Sequence, residues 1–266
     1  MRRAFVLALV LILTMGGALW LEAPGPGPKA PPPRIGIVLI HGKQGSATQF
    51  GQGLATRFET AGYLVDRPDM CWSGTRIYDE PFLDCLHDID ASIERLKARG
   101  ASQFVIAGQS LGASGALAFG ARHDGLKGII AMAPAPAPGV ARRAEIAPEL
   151  DRAKALAAAG HSDEKTEFND LNVAVLFHVT TTPSIYQSFL AFDGPANLVA
   201  NTIHLKAPVL WISGLRDPTQ MPRNLGYDRA PPNKLNRYVE VEADHFGTPA
   251  ASRDVILAWL KEITAP

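Results

Sequence analysis

Cysteine is scarce in this chain: Cys71 and Cys85 are the only two among 266 residues. No C-x-x-C pair, H-E-x-x-H helix, phosphate-cradling G-x-x-x-x-G-K-[ST] loop or dinucleotide fingerprint occurs either. The usual frames for zinc, a nucleoside triphosphate or a dinucleotide are therefore missing, and whatever chemistry the chain performs is expected to need no cofactor and no metal. Charge of one sign is also lacking. The 26 basic and 26 acidic side chains cancel, and no basic patch interleaved with aromatics stands out, which argues against nucleic acid as a partner. With 47% hydrophobic and only 20% charged residues, the body of the chain cannot be a disordered polymer.

One long apolar run is present, and it stands apart from the rest. Arg2-Arg3 precede an uncharged stretch from Ala4 to Leu21, closed by Glu22. Residues 1–23 read as a secretion signal or, because Leu19-Trp20-Leu21 interrupts any small-x-small cleavage site, as an uncleaved signal anchor. Membrane contact would then be confined to residues 4–21, with the amino terminus cytoplasmic and the body exported, periplasmic or at the cell surface. Residues 24–33, rich in Pro and Gly, read as an extended tether. Residues 34–266 have the length and composition of one α/β domain. The two cysteines fall in that exported part, around the irregular stretch Trp72 to Pro81, and are either bridged or two free thiols. Neither has a readable base partner, so a cysteine nucleophile is not expected.

The most informative local pattern is Gly108-Gln109-Ser110-Leu111-Gly112. It lies between the apolar run Phe104 to Gly108 and an Ala-rich stretch from Gly112 to Ala121 that reads as a helix. A serine on a tight strand-to-helix turn is held in a strained conformation with its hydroxyl projecting from the sheet edge, and glycines two positions either side permit the turn. Ser110 is therefore the candidate nucleophile. An acid and a histidine follow in chain order. Ala207 to Gly214 reads as a buried parallel strand with Asp217 just beyond it, and Asn236 to Val241 reads as the next strand with Asp244-His245 in the loop after it. Open α/β sheets place ligand chemistry beyond the carboxyl ends of their strands. There an Asp217 carboxylate can fix the His245 tautomer, and the imidazole can take the serine proton. Asp228 and Asp244 are the alternative acids.

Near the start of the domain, Ile35 to Ile40 form an apolar strand ending in His41-Gly42-Lys43-Gln44-Gly45. Acyl transfer needs two amides aimed at the developing oxyanion, one after the nucleophile and one from an early strand-to-helix loop, which nominates Leu111 and Lys43. His41 is read as bracing that loop through hydrogen bonds. A further polar group, Asp84, His87, Asp88 and Asp90, contains positions that share a helical face, but Phe82, Leu86, Ile89, Ile93 and Leu96 form the apolar stripe of that helix. The polar residues then belong to its solvated side rather than to a metal site.

On His41-Gly42, Gly108 to Gly112, the Gly214-to-Asp217 spacing and the Asp244-His245 loop, the chain resembles the α/β-hydrolase fold family over about residues 34 to 266. The likeness is closest to small esterase-like and dienelactone-hydrolase-like members, although the latter use cysteine where this chain has Ser110. The resemblance implies a mostly parallel, doubly wound sheet and a serine hydrolase acting on a small-molecule ester or thioester, with an exported peptidase or lipase of the same fold, or a non-catalytic binding protein on that scaffold, as alternatives. It also implies that an insertion between the family's sixth and seventh strands, here about 134–206, caps the site. The cap is expected to be helical, around Ala141 to Ala159 and again near Ile185 to Phe192. Phe177, Tyr186, Phe189, Leu190 and Phe192 either line an acyl or aromatic pocket or pack the cap against the core.

Overall fold

Residues 35–40 and 128–132 are apolar apart from glycine and buried at every position, the mark of strands covered on both faces. The computed structural model describes residues 34–134 and 146–265. The expected leader, the tether and the first part of the insertion lie outside them. In chain order the first half comprises β1 (Ile35–Ile40), α1 (Gln52–Thr60), β2 (Leu64–Asp66), α2 (His87–Ala98), β3 (Gln103–Gln109), α3 (Leu111–Arg122) and β4 (Gly128–Met132). The insertion follows with α4 (Ala147–Ala158), β5 (Thr166–Asn172), β6 (Val175–Thr181), α5 (Pro183–Leu190) and α6 (Leu198–Thr202). The chain then returns through β7 (Val209–Gly214), β8 (Arg237–Val241), α7 (Thr248–Ala251) and α8 (Arg253–Thr264).

Six strands form one sheet in the order β2-β1-β3-β4-β7-β8, each pairing parallel. Side chains alternate across a strand, and the two faces build two separate cores. Ile37, Leu39, Val105, Ala107, Ile130, Met132, Leu210 and Ile212 pack with α1 and with Ile256, Trp259, Leu260 and Ile263 of α8. Val38, Ile40, Ile106, Ile129, Ala131, Val209 and Trp211 pack on the opposite side with α2, α3 and the insertion. A fully buried side chain of this size contributes about 1.5–3 kcal/mol. α3 is buried from Leu111 to Gly120, and its alanines and glycines let a helix lie close under the middle of the sheet.

The insertion is not wholly helical, which corrects the expectation above. β5 and β6 form an antiparallel hairpin with Asp170 opposite Phe177 and Phe168 opposite Val179. Its inward set is Phe168, Asp170, Val179 and Thr181, all buried. Two of these four are polar, so the alternation that marks a strand is blurred in sequence; their partners lie far away along the chain. Tyr186 stacks on Phe168 with centroids 4.4 Å apart, and Phe189 stacks on Tyr78 at 4.1 Å. Tyr186 thus packs α5 against the hairpin within the insertion, and Phe189 packs the insertion onto the segment around Tyr78. Phe177 and Leu190 are half-buried, and Phe192 is exposed. α5 starts where Thr182 accepts from the Ile185 amide and Pro183 occupies the first turn.

Cys71 and Cys85 are joined by a disulfide with their Cα atoms 5.5 Å apart. On α2, Ile89, Ile93 and Leu96 face the core while His87 is exposed and Asp88 pairs with Arg76 at 2.8 Å. Asp84 is also exposed, and Asp90 lies 3.6 Å from the His123 ring nitrogen. Among the described residues, no helix is long and apolar enough to cross a membrane.

Candidate active site

Ser110 occupies the single position between β3 and α3, with φ 57° and ψ −122°. A non-glycine residue in that region stores of order 1–3 kcal/mol of backbone strain. The turn survives because its flanks have no side chains: a Cβ on Gly108 would collide with the Gly112 carbonyl, and one on Gly112 with the carbonyls of Ile40 and His41. The Ser110 amide is anchored to the Met132 carbonyl at 3.0 Å.

The structure brings Ser110, His245 and Asp217 together from three different strand ends. The Ser110 hydroxyl lies 2.9 Å from His245 Nε2, and His245 Nδ1 lies 2.8 Å from Asp217 Oδ2. A carboxylate at Nδ1 holds the ring proton there and leaves Nε2 to accept from the hydroxyl. All three residues are buried. Burial pushes the Asp217 carboxyl up, but hydrogen bonds from His245 and from the Thr219 hydroxyl and amide, with the nearby imidazole charge, outweigh it and hold the pKa below its ordinary value. The alternative acids are engaged elsewhere. Asp228 pairs with Arg223 at 2.8 Å, and Asp244 accepts the Gly247 amide at 2.7 Å at the start of α7.

The 41–45 loop lies beside the nucleophile, since a Cβ on Gly42 would stand 3.1 Å from the Ser110 Cβ. The amide of Lys43 follows at once, and that of Leu111 is among the first of α3, which have no partner within a helix. By contrast, the Gln44 amide donates to Trp72 O at 2.9 Å and the Gly45 amide to Gly42 O at 3.1 Å. His41 is a brace. Its Nδ1 donates to Gly42 O at 2.8 Å while Nε2 accepts the Met70 amide at 3.1 Å, and burial lowers its pKa despite opposing contributions from the Gly42 carbonyl, Asp69 and Asp88.

Several participants were not read from sequence. Thr219 gives Asp217 two hydrogen bonds and lies 3.0 Å from His245 Nδ1, and the Asp217-Pro218-Thr219 turn was the available signal. Gln109 donates to the His245 carbonyl at 3.2 Å. Asp170, buried in β5, accepts from Lys43 Nζ at 2.7 Å and from the Tyr78 hydroxyl at 2.6 Å. No local pattern announces those contacts. A separate surface depression lined by Tyr227, Pro232, Lys234 and Asn236 opens on the segment before β8, and none of the residues around it belongs to this site.

The same architecture recurs in solved structures. A metagenome-derived lipolytic enzyme shares 21% identity with a TM-score of 0.61, covering 88% of this chain and 94% of that one. A monoacylglycerol lipase from Paleococcus ferrophilus shares 21% with a TM-score of 0.64, covering 86% and 94%. Est1E from Butyrivibrio proteoclasticus, solved with ferulic acid bound, shares 15% with a TM-score of 0.61, covering 89% and 92%. At these identities the likeness is one of fold. No curated protein matches the sequence. The family model described as serine aminopeptidase, S33, matches residues 31–236, most of the chain, ending short of the His245 loop. With its parallel sheet and strained strand-to-helix turn, the chain belongs to this serine aminopeptidase S33 family of α/β hydrolases.

Proposed function

We propose that this protein is a serine hydrolase that cleaves carboxylic esters, thioesters among them, through a covalent acyl-enzyme. The observation that carries the reading is the unbroken succession Ser110 Oγ, His245 Nε2, His245 Nδ1, Asp217 Oδ2, at 2.9 and 2.8 Å, on a strained turn in a hydrolase scaffold. In this mechanism Ser110 attacks the substrate carbonyl carbon while its proton passes to His245. Asp217 steadies the resulting imidazolium. The carbonyl oxygen, now an anion, is met by the amides of Lys43 and Leu111, each such donor being worth on the order of 3 kcal/mol in the transition state. His245 returns the proton to the departing alkoxide or thiolate, then deprotonates a water that releases the acid and restores Ser110.

The family description makes an aminopeptidase the second reading. A peptide amino terminus would require an unengaged carboxylate at the site. The buried Asp170, which reaches the 41–45 loop, is already held by Lys43 and Tyr78 and so is not the group that would receive such an amino terminus. The third possibility is a binding protein that retains the shell without turnover. We further propose that the protein works outside the cytoplasm, carried there by residues 1–23, a reading supported by the Cys71–Cys85 bond because disulfides persist in oxidising compartments.

Labelling with a fluorophosphonate probe, with Ser110→Ala as the control, tests the nucleophile. Labelling of the wild type that vanishes in the variant is expected, and an unlabelled wild type would leave only a binding role. A p-nitrophenyl ester series set against aminoacyl anilides separates esterase from peptidase: faster turnover of anilides would overturn the ester assignment.

A further inference from the structure

We propose that the β5–β6 hairpin is a clamp on the oxyanion loop, with Asp170 and Asn172 as positioning residues that fix Lys43; this rests on the reading of the Lys43 amide as an oxyanion donor. The 41–45 loop is held from two sides, which meet at Gln44. The segment tied by the Cys71–Cys85 bond takes the flanks. Met70 donates to the His41 ring at 3.1 Å and Trp72 Nε1 to the His41 carbonyl at 2.9 Å, while Trp72 O accepts the Gln44 amide and Gly45 O accepts the Gly74 amide, both at 2.9 Å. Both ends of Lys43 other than its amide go instead to the hairpin. Its carbonyl accepts from Asn172 Nδ2 at 3.1 Å, and its ammonium donates to Asp170 Oδ2 at 2.7 Å and to Leu171 O at 2.9 Å.

Asn172 also donates to Gln44 Oε1 at 3.1 Å, and Gln44 is held at φ 58°. The peptide between 43 and 44 thus sits at a strained turn, which persists only when its surroundings over-determine it. Asp170 is a committed anchor. Its side chain is 2% exposed, its second oxygen accepts the Leu171 amide at 2.7 Å, and the Tyr78 hydroxyl shares the oxygen used by Lys43. Tyr78 in turn accepts the Thr181 hydroxyl on its carbonyl at 2.7 Å and receives the support of the disulfide segment through its amide to Cys71 O at 2.9 Å. The rings of Tyr78 and Phe177 stand 5.9 and 5.8 Å from Lys43 Nζ. A buried ion pair is weak evidence for stability, since apolar replacements of similar volume are often as stable; what such a pair supplies here is a defined position. An insertion that served only to line a substrate pocket would have no need to send an amide to the carbonyl of the residue whose N–H meets the oxyanion.

The test uses the full chain and p-nitrophenyl ester hydrolysis in Asn172→Ala, Asn172→Asp and Asp170→Asn. Asn172→Asp keeps the size but cannot donate, and places an oxygen against the Lys43 carbonyl. The expected result is a fall in kcat of about tenfold or more in Asn172→Ala and a larger fall in Asn172→Asp, with KM within roughly twofold, because an interaction realised in the transition state is lost. Affinity for an alkylboronic acid, which mimics the tetrahedral anion, should fall by a matching factor. Unchanged kcat in both Asn172 variants, or a loss confined to KM with boronate affinity intact, would overturn the clamp and leave the hairpin a pocket wall. If Asp170→Asn does not fold, the Asn172 pair decides alone. Failure of the underlying reading looks different: a wild type without Ser110-dependent hydrolysis would remove the clamp together with the mechanism, whereas Ser110-dependent activity that ignores all three substitutions removes the clamp only.

Discussion

Thr219 gives both its amide and its hydroxyl to one oxygen of Asp217, at 2.8 and 2.7 Å, which leaves the other oxygen to His245. The carboxylate is thus locked in rotation by a residue two positions away, and its pKa is held down by the same bonds working against burial.

Thr219→Val should weaken catalysis without abolishing it. Hydrogen bonds to a charged group are worth about 1.5–3 kcal/mol, so kcat/KM for an ester substrate is expected to drop by roughly tenfold to a hundredfold. The acid side follows from the sign of the shift. A depressed carboxyl contributes stability above its ordinary pKa and loses it as pH falls through the folded value. Removing the Thr219 hydroxyl raises that folded value, so the variant should unfold at a higher pH on acid titration followed by circular dichroism. An unchanged acid midpoint would count against the shift.

Ser110→Gly should be inactive yet more stable than Ser110→Ala, which loses the same hydroxyl bond to His245 but keeps the Cβ. Glycine accepts the φ of 57° at no steric cost, relieving about 1–3 kcal/mol of strain against about 0.5–1 kcal/mol of added chain entropy. For a domain of this size each kcal/mol moves Tm by about 2–4 °C, so calorimetry should find a Tm a few degrees above that of Ser110→Ala. A Tm at or below that of Ser110→Ala would mean the turn is not strained.

His41 should make the fold sensitive to mild acid. Its folded pKa is lowered by burial, so below the ordinary imidazole value of about 6.5 the unfolded chain takes a proton that the folded one refuses. Stability therefore declines as pH falls from there and levels off below the folded value. Urea unfolding across this range should show a flatter decline in His41→Gln than in the wild type; parallel slopes would remove His41 as the source.

Replacing both Cys71 and Cys85 by serine opens a closure spanning 14 positions, worth about 3 kcal/mol in the chain-entropy model. Because the same segment holds His41, Gln44 and Gly45, kcat should fall as well, even in dilute solution where the variant remains folded. Denaturant melts with paired kinetics check both halves, and a variant as stable as the wild type would show that the bond adds nothing.

Much of the scaffold was open to reading along the chain. The strand at 35–40 runs over the residues expected, because a strand buried on both faces is a short apolar run bounded by turn residues. The glycines around Ser110 announce the turn, since only residues without a Cβ fit so near the facing carbonyls. The hairpin of β5 and β6 was illegible for the opposite reason. Its buried positions include Asp170 and Thr181, whose partners Lys43 and Tyr78 are about a hundred residues away, so polar residues interrupt the apolar alternation that would mark the strands.

Local chemistry therefore dictated by itself where the strands of the parallel sheet lie, where the chain must turn sharply, and which hydroxyl, imidazole and carboxylate follow the ends of those strands. Periodicity and glycine placement act over a few residues and need no knowledge of the rest. Tertiary structure alone decided that those side chains lie within hydrogen-bonding distance, that Thr219 rather than a more distant group locks the acid, and that the insertion grips the loop at Lys43. Each of these is a pairing between remote segments, and a buried polar atom carries no local mark of the partner that satisfies it.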